Sequence, residues 1–324
     1  MGYINDKMDI DNIYLPKLDN INFKPIFIMG VHRSGTTILY KLLSNTDCFN
    51  IVTTYHIFRY NEILYNHIKN LEKKSKENLN ESFKNKSIYA RKIDKLKITS
   101  DFPEEYGFVL SKKNGPNKIT PETFKTFITL CKKIQFISKN NKPILLKNPF
   151  DFTNFLYIKS ILPKSKFIFI HRNPFKTLNS QLTARRTLFQ QKSEYMSLLS
   201  PSYQKIFENI IFLCFIRFIN SPNNQIRTIQ TINKLTRETN YFLKNIKLLN
   251  KTDFICIRYE DLCEKPNTKI IEILKFLKIK EKKLLQFSDF IKPRKKTILK
   301  ELQQKEKYIS KQMKPYFSEF KYFL

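Results

Sequence analysis

Apolar residues along this chain follow two rhythms. Short unbroken runs mark buried strands: residues 26–29, 144–146, 167–170 and 254–257, with a further short strand expected at 51–54. Between them apolar positions recur every three or four residues, the spacing of one helix face. Ile38, Leu39, Leu42 and Leu43 mark the first helix, and Leu64, Ile68 and Leu71 mark a Lys-rich helical insertion or lid over about 58–97. A strong amphipathic helix follows at 121–139, with Phe124, Phe127, Ile128, Cys131, Ile134 and Ile137 on one face. Further helices are predicted at 152–162, at 177–190 after Pro174, at 202–219, 225–249 and 266–277. The 202–219 stretch is apolar nearly all round and is therefore expected to be buried. Strand and helix alternate, so the chain should build an α/β fold: a parallel sheet with helices on both faces. Residues 1–24 read as a polar lead-in and 25–324 as one domain carrying the insertion.

Composition supports a folded body. Among 324 residues 41% are hydrophobic and 14% aromatic, enough for a sizeable core. The opening residues lack an apolar signal core, and Asp6 spoils a myristoylation match. The longest apolar run, 210–216, ends at Arg217, short of the ~18 residues a membrane helix needs. A soluble, cytoplasmic protein is expected. Cys48, Cys131, Cys214, Cys256 and Cys263 form no C-x-x-C pair, and buried free thiols in a reducing compartment are the simplest state. The four histidines have no ligand spacing, so no metal is expected. The formal charge of +31 would attract polyanions, but the lysines are scattered rather than gathered in one patch. That distribution argues against specific nucleic-acid binding, while a doubly anionic nucleotide or an acidic acceptor would gain from the field.

The chemistry concentrates where the first strand meets the first helix. Two of the five glycines, Gly30 and Gly35, fall within Gly30-Val31-His32-Arg33-Ser34-Gly35-Thr36-Thr37. Glycine permits the tight turn, and the new helix offers unpaired N–H groups to an anion. A nucleotide-hydrolase loop would require G-x-x-x-x-G-K-[ST]. Here threonines follow the second glycine and the cation, Arg33, precedes it, which suits a terminal phosphate and the bond leaving it without a metal ligand. Lys147 and Arg172 stand at the ends of later strands, where ligands sit in open α/β sheets. Ser180, on the helix after Pro174, could close with Arg172 on one phosphate. His171 should point to the opposite face and serve structure. Glu104 and Glu105 form a small acidic island that is either a solvated turn or part of the site.

At these residues the chain resembles sulfotransferases that use 3′-phosphoadenosine 5′-phosphosulfate. Their [KR]-S-G-T-T turn is matched by Arg33-Ser34-Gly35-Thr36-Thr37. Their second element, a strand ending in Arg, then Asp/Asn-Pro and a Ser eight residues past the Arg, is matched by residues 167–174 with Ser180. A third is Arg258-Tyr259-Glu260-Asp261-Leu262 followed by Pro266, whose carboxylates are read as structural. The resemblance runs from residue 25 to about 277. It implies a three-layer P-loop nucleoside-kinase-like fold and transfer of a sulfuryl group to a hydroxyl or amine of a small molecule or glycan. It further implies 5′-phosphate binding by His32, Arg33, Ser34, Gly35, Thr36 and Thr37, sulfuryl contact by Lys147, charge on the leaving phosphate oxygen met by Arg33 and Lys147, and a 3′-phosphate on Arg172 and Ser180. Further 3′-phosphate ligands belong to a late basic loop, for which residues 292–296 are the candidates. Glu105 is the first choice of base, Asp151 and His32 the rivals, although a second acid usual in one branch of the family falls at Gly107. A P-loop kinase of a small metabolite and a non-enzymatic polyanion binder are the alternatives.

Overall fold

The computed structural model describes residues 9–93, 95–112, 115–280, 287 and 297–322. Five strands, β1 (Pro25–Met29), β2 (Asn50–Ile51), β3 (Ile144–Lys147), β4 (Lys166–His171) and β5 (Phe254–Arg258), form one sheet in the order β2-β3-β1-β4-β5. Every neighbouring pair is parallel. Side chains alternate across it. Phe27, Met29, Leu146, Phe167 and Phe169 face a core shared with the Pro121–Ser138 and Gln225–Asn245 helices, and Ile26, Ile28, Leu145, Ile168 and Ile170 face one shared with the Thr36–Ser44 and Pro266–Phe276 helices. The result is the expected three-layer α/β fold with helices on both faces.

The strand order reverses at β1: the chain goes outward to β2, returns through β3, and crosses to β4 and β5. A crevice opens at such a reversal, beyond the carboxyl ends of the strands. Register then sets what projects into it. Ile28 pairs with Lys147 on one side and with Ile168 on the other, so Lys147 ends β3 just short of the β1 exit at Gly30. His171, beside Arg258, closes β4 and sends Arg172 into the crevice.

Several expectations are revised. The second strand is only Asn50–Ile51, because Thr53 already caps a helix. Within the lead-in, Ile10–Leu18 forms a 3-10 helix. It is docked because the buried Asp11 carboxylate pairs with Lys133 at 2.8 Å and accepts the Leu64 and Tyr65 N–H groups. The insertion holds two helices, Ile63–Ile68 and Glu72–Asn85, and the second is packed down through buried Leu79 and Phe83 rather than standing off as a lid. The 202–219 stretch breaks at Asn209, whose side chain caps the second of two helices, Pro201–Glu208 and Ile210–Ile219. That second helix is largely exposed: of its residues only Leu213 is buried. Cys48 and Cys131 are buried thiols as expected, but Cys214 lies on that exposed helix and Cys256 on edge strand β5, both accessible, with Cys263 half-buried. Among the described residues no helix is long and apolar enough to cross a membrane.

Candidate active site

The turn after β1 is shaped by close contacts that a larger residue would break. A Cβ on Gly30 would lie 2.5 Å from Ser34 Oγ and 2.8 Å from the Ile170 carbonyl oxygen, so glycine lets the β1 exit lie against β4. Gly35 has φ +106°, and a side chain there would collide with the Tyr259 ring. It also caps the Thr36–Ser44 helix without a capping side chain, leaving that helix end for an anion. Arg33 takes φ 70°, a left-handed conformation that costs a non-glycine residue on the order of 1–3 kcal/mol. Ser34 turns inward: its N–H bonds to Val31 O, and its hydroxyl lies buried under the turn with no hydrogen-bond partner among the described residues.

Cations gather around this turn. Arg33 Nε donates to Ser180 Oγ at 3.1 Å, and Arg172 Nη1 donates to the Arg33 carbonyl at 3.0 Å. Arg172 lies over the Tyr259 ring, 4.4 Å from its centroid, and among the described residues its buried Nε has no hydrogen-bond partner. Arg33, Arg172 and Ser180 therefore converge, but through Arg33: Ser180 bonds to Arg33 rather than standing beside Arg172 alone. The third sequence motif contributes more than its carboxylates. Glu260 accepts the Asn173 N–H at 3.2 Å, while Tyr259 is the floor under both Gly35 and Arg172. Only an aromatic at that spacing signals this, and sequence reasoning passed over it.

Lys147, fully buried, donates to Glu105 Oε1 at 2.6 Å and reaches Thr37 Oγ1 at 3.5 Å. Burial pushes the Glu105 carboxyl pKa up, but Lys147, His32 and Arg91 together hold it below the ordinary carboxylate value. The carboxylate is thus ionised at neutral pH, and burial alone does not raise it toward a base of intermediate strength. Its neighbour Glu104 is buried, not solvated: it accepts from Tyr195 OH at 2.6 Å and pairs with Arg91. Asp151 is also committed. It accepts from Tyr106 OH, Asn148 Nδ2, Asn154 Nδ2 and the Ile119 N–H, a set that ties three chain segments together. His171 is buried, bonded to Tyr316 OH at 2.9 Å and stacked on Phe320, as a structural residue.

His32 joins the turn to a cavity of about 350 Å³, lined also by Asn117, Lys118, Phe150, Lys234 and Glu238. Its carbonyl accepts from Gln181 Nε2 at 2.7 Å, and its ring meets Phe150 edge to face at 4.6 Å. Burial, with Lys234, Lys147 and Arg33 adding and Glu105 opposing, pulls its pKa down to about 4, so the imidazole is neutral at pH 7. The Glu238 carboxyl is pushed up by burial and pulled back by Lys234, 3.7 Å away. Residues 292–296, the expected late basic loop, lie outside the described residues.

An uncapped glycine turn, two arginines and a lysine thus meet at three strand exits of an open parallel α/β sheet. Residues 25–282 match the Sulfotransferase family, and the chain belongs to it. Its fold is similar to that of the sulfotransferase STF9 from Mycobacterium avium, with TM-score 0.66 and 12% identity over 96% of this chain and 81% of that one. The sulfotransferase STF1 from Mycobacterium tuberculosis H37Rv is similar at TM-score 0.56 and 14% identity, over 92% of this chain and 78% of that one. No curated protein matches the chain significantly.

Proposed function

We propose that this chain moves a sulfuryl group from 3′-phosphoadenosine 5′-phosphosulfate to an acceptor hydroxyl or amine by in-line displacement. The observation that carries the reading is the cluster of Arg33, Lys147 and Arg172 at three strand exits around a helix end with no side-chain cap. A phosphate fits there: among the described residues the buried Arg172 Nε has no partner, and an anion would satisfy it. In this reading the turn from His32 to Thr37 holds the 5′-phosphate through backbone N–H groups, and Arg172 with Ser180 holds the 3′-phosphate.

The donor, when bound, supplies the sulfuryl group and a phosphate leaving group. Arg33 and Lys147 stabilise negative charge at the bond that breaks, in a site already ordered before reaction. Lys147 starts paired to Glu105. When Lys147 turns to the sulfuryl oxygens, Glu105 loses its strongest counter-charge while remaining buried, so its pKa rises and it can take the acceptor proton. In this reading the cavity beside His32 takes the acceptor, next to the turn that holds the 5′-phosphate.

Thermal unfolding tests the reading against its rivals. Adenosine 3′,5′-bisphosphate should raise the melting temperature with no metal present, because a ligand that binds only the folded state stabilises it. A larger shift with ATP and Mg²⁺ would favour a kinase, and a larger shift with an oligonucleotide a polyanion binder.

A further inference from the structure

The most apolar helix of the chain faces solvent. In Ile210–Ile219 the side chains of Ile210, Ile211, Phe215 and Phe218 are 65, 81, 55 and 67% exposed, and Cys214 is exposed among them. The spacing i, i+1, i+4, i+5, i+8 places these five on one stripe of the helix. The helix has one charged residue, Arg217, and its guanidinium is bound to the Phe189 and Gln190 carbonyls at 2.9 Å each. At about 200 Å² for a large side chain, the stripe exposes roughly 600 Å² of continuous apolar surface, the upper end of what a monomer shows.

We propose that this stripe is the interface between two copies of this chain, paired across a two-fold axis with the two Ile210–Ile219 helices antiparallel. Three observations favour a second copy. The area fits: roughly 600 Å² of apolar contact with a polar rim approaches the ~800 Å² per partner of a stable interface. The stripe is also self-complementary. Cys214 is four residues from both Ile210 and Phe218, so a two-fold axis at Cys214 sets each Ile210 against Phe218 of the other copy. Charge, lastly, does not forbid it. Residues 201–240 carry five Lys/Arg against two Glu, a small part of the +31, and charges farther off are screened beyond ~8 Å at physiological salt. The Gln225–Asn245 helix that follows contributes Lys234 and Glu238 to the cavity, so pairing would also steady one wall of the acceptor side.

Sedimentation velocity on the full chain at micromolar concentration, in low and high sodium chloride, tests this directly. Wild type should run at twice the monomer mass, and more completely at high salt, where repulsion between two basic copies is screened. Ile211→Asp/Phe218→Asp changes only exposed side chains; it should keep the wild-type melting temperature and self-associate more than about a hundredfold more weakly. Should that variant fail to fold, the wild-type chain still decides the matter. In a Cys256→Ser/Cys263→Ser background, copper-phenanthroline oxidation should give a covalent dimer that is reversed by dithiothreitol and absent once Cys214→Ser is added. A wild-type monomer at high salt, or a cross-link that survives Cys214→Ser in that background, would overturn the pairing. So would sedimentation with phosphatidylglycerol vesicles at low salt that the double variant loses, which would make the stripe a lipid contact.

Discussion

Under the proposed function, the donor side and the acceptor side of the site are built differently. The donor side rests on local geometry: Gly30 and Gly35 shape one turn, and Lys147 and Arg172 leave the two strands that flank β1, so backbone register brings the cations together around that turn. The acceptor side is assembled from distant pieces: His32 from the turn, Asn117 and Lys118 from a loop, Phe150 after β3, and Lys234 and Glu238 from a helix some 200 residues beyond His32. The donor side is also the more constrained. Arg33 sits in a left-handed conformation, and Arg172 is clamped between Tyr259 and the Arg33 carbonyl, whereas Lys118 and Lys234 are exposed. A site divided this way can keep its donor chemistry while its acceptor lining changes.

Substitutions on each side should separate the two roles. Arg33→Ala removes a cation at the breaking bond and should lower kcat by a factor of hundreds, about 3–4 kcal/mol, with the melting temperature little changed. Near-normal kcat in the folded variant would place the transferring charge elsewhere. Glu105→Gln should reduce turnover by ~100-fold with donor affinity nearly intact. If His32→Gln has that effect and Glu105→Gln does not, the base belongs to the cavity wall.

A third effect belongs to the buried histidines. Burial pulls the His171 pKa down to about 3, and that of His56 likewise, so both are neutral in the folded chain well below the pH at which the unfolded chain takes up protons. Stability is therefore whole above about pH 6.5 and lost as pH falls toward 3, by up to ~1.4 kcal/mol per pH unit for each histidine. Denaturant unfolding at pH 7, 5.5 and 4 reads this slope, to which buried His32, with its pKa lowered to about 4, also contributes, and His171→Asn should flatten it by about a third; an unchanged slope would mean His171 is not its source. The smallest change is expected on the acceptor side. Lys234→Ala should alter acceptor KM several-fold, about 1 kcal/mol, and leave donor binding untouched, as measured by labelled-donor transfer into acceptors of a cell extract. A matching loss of donor affinity would erase the division between the sides.

The same division explains how much could be read from the sequence. The sheet, its helices and the placing of three cations at strand exits were legible because each follows from a short pattern: an apolar run, a glycine turn, a charge at a strand end. The Lys147–Glu105 pair was not, since 42 residues separate its members and nothing local announces the contact. Without that pair, burial alone predicts the wrong direction for the Glu105 carboxyl. Lys234 and Glu238 carry no signal beyond ordinary helix polarity. The Ile210–Ile219 helix shows a further limit: an all-round apolar sequence states that a helix wants cover, not whether its own chain provides it. The expectation of burial there failed for that reason, and with it the expectation that Cys214 is sequestered.

The central claim is that Arg172 and its surroundings are a phosphate site reserved for the 3′-phosphate of the donor. Calorimetry with adenosine 3′,5′-bisphosphate and adenosine 5′-monophosphate, on wild type and Arg172→Ala, tests it as a closed cycle. The wild-type chain should strongly prefer the bisphosphate, and Arg172→Ala should weaken that ligand by about 2–5 kcal/mol while the monophosphate changes little. Equal losses for the two nucleotides would contradict the account and return Arg172 to the shared 5′ end or to the support of the turn.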